Sequence, residues 1–136
     1  MAGTGSGTKE DPWQLSTPPG TSDYQIYRDP SADPAALVCV VGKRALSYHL
    51  SAVEDLHAML LAHGDWMELG SPDEQKPTKD GNVEAWARSS DNPVGGWYGL
   101  KKGMRGRFAM YVPPLAELLG LIKLEHQPRN NRARDR

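Results

Sequence analysis

Five prolines, at positions 12, 18, 19, 30 and 34, stand in the first quarter of the chain. They exclude a long helix there, because proline removes a backbone donor and clashes with the preceding turn. What remains for that quarter is extended chain. Its apolar residues, Trp13, Leu15, Tyr24, Ile26 and Tyr27, are expected to lie as an extended arm across the rest of the molecule. Tyr24, Ile26 and Arg28 alternate with Gln25 and Tyr27, a partial period of two that predicts a short edge strand over 24–28. Residues 1–10, rich in Gly, Thr and Ser, are expected to be disordered.

Beyond the prolines the pattern changes. Ala36–Val41 is a β-branched apolar run, Gly42-Lys43 a turn signal and Ala45–His49 a returning segment, which together predict an antiparallel hairpin. Ser51 with Glu54 reads as a capping box. Val53, Leu56, Leu60 and Leu61, with His57 beside them, form one apolar stripe, and Gly64 is placed just past a helix end. The spacing predicts a helix over 52–63. His57 on that stripe is expected to be a satisfied core histidine.

Residues 64–81 are polar and turn-rich, tethered by Trp66, Met67 and Leu69. Asp65, Glu68, Asp73 and Glu74 lack the regular oxygen spacing of a calcium loop, so they read as solvated acids and not as a metal site. Asn82–Ser89 favours a short helix capped by Asn82, although alternation of Val83, Ala85 and Ala87 also fits a strand. Arg107–Val112 alternates imperfectly. Pro113-Pro114 opens a short helix over 114–119 closed by Gly120, and Leu121, Ile122 and Leu124 predict a strand. The fold expected is a small α+β domain over 11–127, a short antiparallel hairpin or sheet on a few helices, followed by a basic tail, 128–136. Helix 114–119, the strand and the Arg/Asn-rich turn after it resemble the last helix and wing of a winged-helix domain.

Net charge is −1 over 136 residues, but the charge is split. Residues 1–100 hold 7 Lys/Arg against 14 Asp/Glu, giving −7, and residues 101–136 hold 9 against 3, giving +6. Such a split points to an anionic partner or to acid–base contact within or between chains. One cysteine excludes an internal disulfide and a cysteine metal cluster. Cys39, inside LVCVV, reads as a buried thiol. The start lacks the apolar stretch of a signal peptide and no run suits a membrane span, so a cytoplasmic address is expected.

Asp91–Phe108, DNPVGGWYGLKKGMRGRF, is the one segment whose composition no core helix or strand needs. Glycine lets backbone approach a ligand closely, rings stack on bases, and cations neutralise phosphates. Trp97, Tyr98, Lys101, Lys102, Arg105 and Arg107, with Arg129 and Arg132 of the tail, are therefore the candidate contacts to nucleic acid or another polyanion. Trp97 and Tyr98 are equally readable as core anchors of an irregular loop. Gly95, Gly96 and Gly99 do not match a dinucleotide or P-loop fingerprint. The four histidines show no HExxH, no serine sits in GxSxG, and no catalytic residue, metal ligand or cofactor is assigned.

The segments GTKEDPWQL, TPPGTSDY, HGDWMELG, DEQKP, VEAWARSSDNPVGGWYGLKKGMRGRF, YVPPLAELLGL and PRNNR resemble those of a family of small bacterial proteins of unknown function. The resemblance implies a soluble single-domain bacterial protein, and it brings no activity, catalytic residue or ligand. Three functional readings stand: a nucleic-acid or polyanion-binding module; a protein-interaction or structural domain, self-association included, that sets an acidic body against a basic end; and a small-molecule enzyme without a recognisable motif.

Overall fold

The computed structural model of the chain describes residues 5–70, 75–105 and 107–136. Asp73 and Glu74 of the acidic segment, and the first four residues of the expected disordered tail, lie outside that range.

The N-terminal half is a four-stranded antiparallel meander: β1 (Trp13–Ser16), β2 (Asp23–Asp29), β3 (Ala36–Val41) and β4 (Arg44–His49), in that spatial order. The prolines do confine this quarter to extended chain, but the extended chain is sheet and not an arm. Because β1 pairs with β2 along Trp13↔Ile26 and Leu15↔Tyr24, β2 is an inner strand and not an edge. The register explains which face is inward. Ile26 faces Cys39, Cys39 faces Leu46, and Leu37 faces Tyr48. Trp13, Leu15, Tyr24, Ile26, Leu37, Cys39, Leu46 and Tyr48 are all buried. They fall at alternate positions of four strands, so a period of two puts them on one side of the sheet. Burial also pushes the Cys39 thiol far up, which leaves it inert as a nucleophile.

Residues 5–10 fold back on this sheet rather than fraying. Ser6 and Gly7 both donate to the Asp11 carbonyl, and the Gly7 carbonyl accepts from Arg28 N. Gly7 is needed there: a Cβ on it would lie 2.5 Å from the Trp13 ring.

The helix α1 spans Ala52–His63 and ends at Gly64 with φ 74°, as the spacing predicts. Its start differs. Ser51 has helical φ and its hydroxyl donates to the Asp55 carboxylate, 2.9 Å away, so no capping box forms. The stripe is also narrower than expected. Ala52, Val53, Leu56 and Leu60 are buried, His57 is half-buried and Leu61 is 59% exposed. At about 100° per residue, Leu61 lies beyond the arc centred between Val53 and Leu56, and His57 lies at its margin.

After β5 (Met67–Glu68) come three short helices, α2 (Val83–Trp86), α3 (Phe108–Tyr111) and α4 (Pro113–Leu118), then β6 (Ile122–Leu124) and β7 (Arg132–Asp135). Asn82 caps α2 by accepting from Ala85 N at 2.8 Å, which decides the 82–89 segment for helix. The imperfect alternation over 107–112 is helical, with Phe108 and Ala109 turned inward. Strands β5, β7 and β6 form a second antiparallel sheet with β7 in the middle, so 128–136 is not a tail. Ala133, wholly buried, pairs with both Met67 and Leu124, while Arg132 beside it points out. The β6–β7 hairpin answers to the wing of the winged-helix analogy. Its helix does not, since Pro113, Pro114, Leu115 and Ala116 of α4 are buried and present no face to a groove.

The two sheets and α1–α4 meet in one core, in which Tyr24 donates to the Tyr111 carbonyl at 2.8 Å and Tyr48 packs edge-on against Phe108. The architecture is that of a small α+β domain. No helix among the described residues is long and apolar enough to cross a membrane.

Candidate functional site

The loop after α2 is built around Asn92. This buried amide accepts from Val94 N and Gly96 N and donates to the carbonyls of Trp86 and Gly96. Four hydrogen bonds from one side chain fix the turn, and Gly95 at φ 76° and Gly96 at φ 153° complete it. The chain then runs beside β4 as a partial fifth strand. His49 N donates to Tyr98 O at 2.9 Å, Leu100 N donates to Ser47 O at 2.8 Å, and Gly99 bridges to Tyr48. Arg105 returns over Gly99 so closely that a Cβ there would lie 2.6 Å from the Arg105 backbone. Gly99 therefore serves the packing of the loop on itself, not a ligand.

Extended backbone sends neighbouring side chains to opposite faces, and this separates Trp97 from Tyr98. Tyr98 is wholly buried against Trp86 and Phe108, with its hydroxyl donating to Asp55 at 2.9 Å. Burial, and the Asp55 carboxylate after it, push its pKa well above the usual value. Tyr98 is a core anchor with no surface to offer a polyanion. Trp97 is half-buried, and the Arg88 guanidinium lies 4.6 Å from its ring centre.

The cations divide among three supports. Lys101 and Lys102 are exposed at the tip of the pinned loop, Arg105 is half-buried beneath it, and Arg107 is exposed at the start of α3. Arg129 is exposed on the turn between β6 and β7. Arg132 is engaged: its Nε and Nη2 donate to the two oxygens of Glu125 at 2.9 and 2.8 Å, and it lies over Trp66. Those bonds hold the Glu125 carboxyl below its usual range, so Arg132 offers much less net charge than the sequence suggests. Arg134 lies over the same indole. No contact among the described residues joins Lys101 and Lys102 to Arg129 or Arg132 in one site.

Two ionisable groups escape a reading of the sequence. Glu84 on α2 is wholly buried, accepts from Ala109 N at 3.0 Å and pairs with Arg88 at 3.3 Å. It thereby caps α3 from a different helix. Burial raises its pKa against the opposing pull of the Ala109 amide and Arg88. The i, i+4 spacing of Glu84 and Arg88 was the available signal. His126 joins three segments: Nδ1 lies 2.9 Å from the Pro18 carbonyl and Nε2 lies 2.7 Å from a Glu117 oxygen. Desolvation works against its charge, but the bonds to Glu117 and Pro18 outweigh it and hold the imidazole above its usual value. With acceptors at both ring nitrogens, the imidazolium is the form that satisfies both. The pair borders a cavity of about 270 Å³ between the β1–β2 turn and α4.

The chain belongs to the family of unknown function DUF6855, whose model matches residues 5–136. The match includes the docked segment 5–10 and all of β7. No curated protein and no solved structure matches the chain.

Proposed function

We propose that the chain is a polyanion-binding domain, with nucleic acid as the polyanion, and that the loop over 95–105 and Arg107 form its contact face. The observation that supports this reading is the placing of Lys101 and Lys102. Both stand exposed on a loop whose base is fixed to β4 by the Tyr98 and Leu100 backbone bonds. A Cβ added at Gly95 or Gly96 would meet nothing within 4 Å, so no side chain obstructs the approach of a phosphate to the outer side of that turn. Trp97 offers the part of its ring that Arg88 leaves uncovered. A nucleic-acid partner agrees with the cytoplasmic address expected from the sequence.

Anisotropy titration of the protein with short single-stranded and duplex DNA and RNA at two salt concentrations tests it. With Lys101, Lys102 and Arg107 each neutralising one phosphate, log affinity falls against log salt with a slope of about −2 to −3. Lys101→Ala and Lys102→Ala each flatten the slope by about one. No binding of any of the four probes at low salt overturns the reading. A protein partner or self-association is the second reading, favoured by Leu61 and Leu119, at 59% and 39% exposed; sedimentation at high and low salt detects self-association.

A further inference from the structure

We propose a second, independent binding site, in the cleft between the Pro18-Pro19 turn, the Pro77–Asn82 segment and the 127–131 turn, which takes a small organic oxyanion: a phosphate or carboxylate head on a compact apolar body. The cleft has a volume of about 590 Å³, within the range of about 300–1,000 Å³ typical of small-molecule sites.

The head group is specified by charge. Lys79 and Arg129 line the cleft, both exposed, and neither forms a hydrogen bond or ion pair among the described residues. Among the described residues that line the cleft, Glu68 is the one carboxylate. The described lining therefore carries two cations against one carboxylate. The Arg129 fork is suited to two oxygens of one oxyanion, with Lys79 adding a point charge. The body is specified by the apolar part of the lining, to which Leu69, Met110, Pro19, Pro77 and Pro128 belong.

The walls are set before any ligand arrives. Asn131 closes the turn that carries Arg129: its Oδ1 accepts from Gln127 N at 2.6 Å and its Nδ2 donates to Gln127 O at 2.9 Å. Leu69 N donates to Asn131 O and Glu84 N to Leu69 O, which ties Leu69 to the turn before β7 and to α2. Thr78 and Asn82 hydrogen-bond each other. Gly70, at φ 67°, passes so near Asn82 that a Cβ would fall 2.6 Å from its amide nitrogen. The Pro18 carbonyl is held by His126. The backbone of the cleft is thus fixed before binding, and the ordering cost falls on the Lys79 and Arg129 side chains.

Amide NMR titration of the isotope-labelled full chain with phenyl phosphate, benzoate and inorganic phosphate is the test, each to about 10 mM. Phenyl phosphate, benzoate or both are expected to shift the amides of Leu69, Gly70 and Arg129–Asn131. Whichever binds decides the head group. Inorganic phosphate, lacking the body, should bind on the order of tenfold more weakly. Lys79→Ala and Arg129→Ala should each weaken binding about tenfold with an otherwise unchanged spectrum, and Lys101→Ala with Lys102→Ala should leave it as it was. Absence of shifts with both organic probes overturns the site. So does binding that is unchanged in Lys79→Ala and Arg129→Ala, or lost in the Lys101 and Lys102 variants. Since the polyanion reading is tested with other probes and other lysines, either can fail alone.

Discussion

Replacing Glu84 by alanine should be among the most damaging single changes in this protein. The carboxylate, wholly buried, accepts from Ala109 N at 3.0 Å and from Arg88 Nε at 3.3 Å. Alanine leaves a buried amide without its acceptor, at about 1–3 kcal/mol. It also removes one partner of a buried ion pair, which costs about 3–5 kcal/mol where the other charge is stranded. Arg88 is not wholly stranded, because it also donates to Lys76 O at 2.7 Å and lies over Trp97. The two losses overlap, so the net is placed at about 3–4 kcal/mol. For a chain of this size that lowers Tm by about 10–15 °C. Glu84→Gln keeps the length and one acceptor oxygen, and should recover at least about half of the loss. The sign of the pH effect follows from the raised pKa. Stability from the protonated carboxyl is fully present below the unfolded value of 4.5 and is lost as pH rises through the folded value. The advantage of wild type over Glu84→Gln should therefore narrow from about pH 4 to pH 7. Calorimetric melts of the three proteins across that range decide the matter. An alanine variant melting within about 3 °C of wild type would show that the Glu84 contacts contribute little.

Leu60→Ala should cost about 2–5 kcal/mol in a denaturant titration, whereas Leu61→Ala, one residue on, should change stability by less than about 0.5 kcal/mol. Equal losses would refute the register of α1. Ser51→Ala should also stay below about 0.5 kcal/mol, because its hydroxyl serves an exposed bond to Asp55 and not the helix amides; a loss near 1 kcal/mol in thermal melts would restore the cap. For His126→Gln, the histidine's contribution is present below the unfolded value of 6.5 and lost as pH rises through the raised folded value. The Tm difference from wild type should accordingly be largest in acid and shrink in base, and a difference independent of pH would exclude the imidazolium.

The β3–β4 hairpin and α1 were legible because their signals are local, whereas the pairing of β1 with β2 was not. The hairpin over 36–49 needs only β-branched runs around Gly42, and α1 needs only a stripe ended by Gly64. Leu61 was misjudged because apolar character says nothing about the angular width of a buried face. The segment 132–135 was illegible for a different reason. RARD has no apolar run, and its strand character comes from partners at Met67 and Leu124. The same holds for the charge reading. Lys101 and Lys102 were legible as exposed cations, but the engagement of Arg132 by Glu125 depends on a β6–β7 register that composition does not encode. Trp97 and Tyr98 could have been separated in principle, since two neighbours in an extended segment cannot both face one core. Only the hydrogen bond to Asp55 says which of them turns inward.

The central place of β7 in the second sheet carries a consequence for the order of events during synthesis. The first sheet is complete in sequence by His49, and its strands are near neighbours. The partner of Met67 is Ala133, 66 positions later. At translation rates of about 5–20 residues per second, β5 waits about 3–13 s for its strand to be made. Until then β5 has no strand to pair with on the β7 side, β6 emerges beside an empty place, and Leu56 and Leu60 lack part of the cover the finished core provides. A ribosome stalled before Asp135 would therefore hold out a finished meander beside an open second sheet, the kind of nascent intermediate that chaperones and proteases recognise.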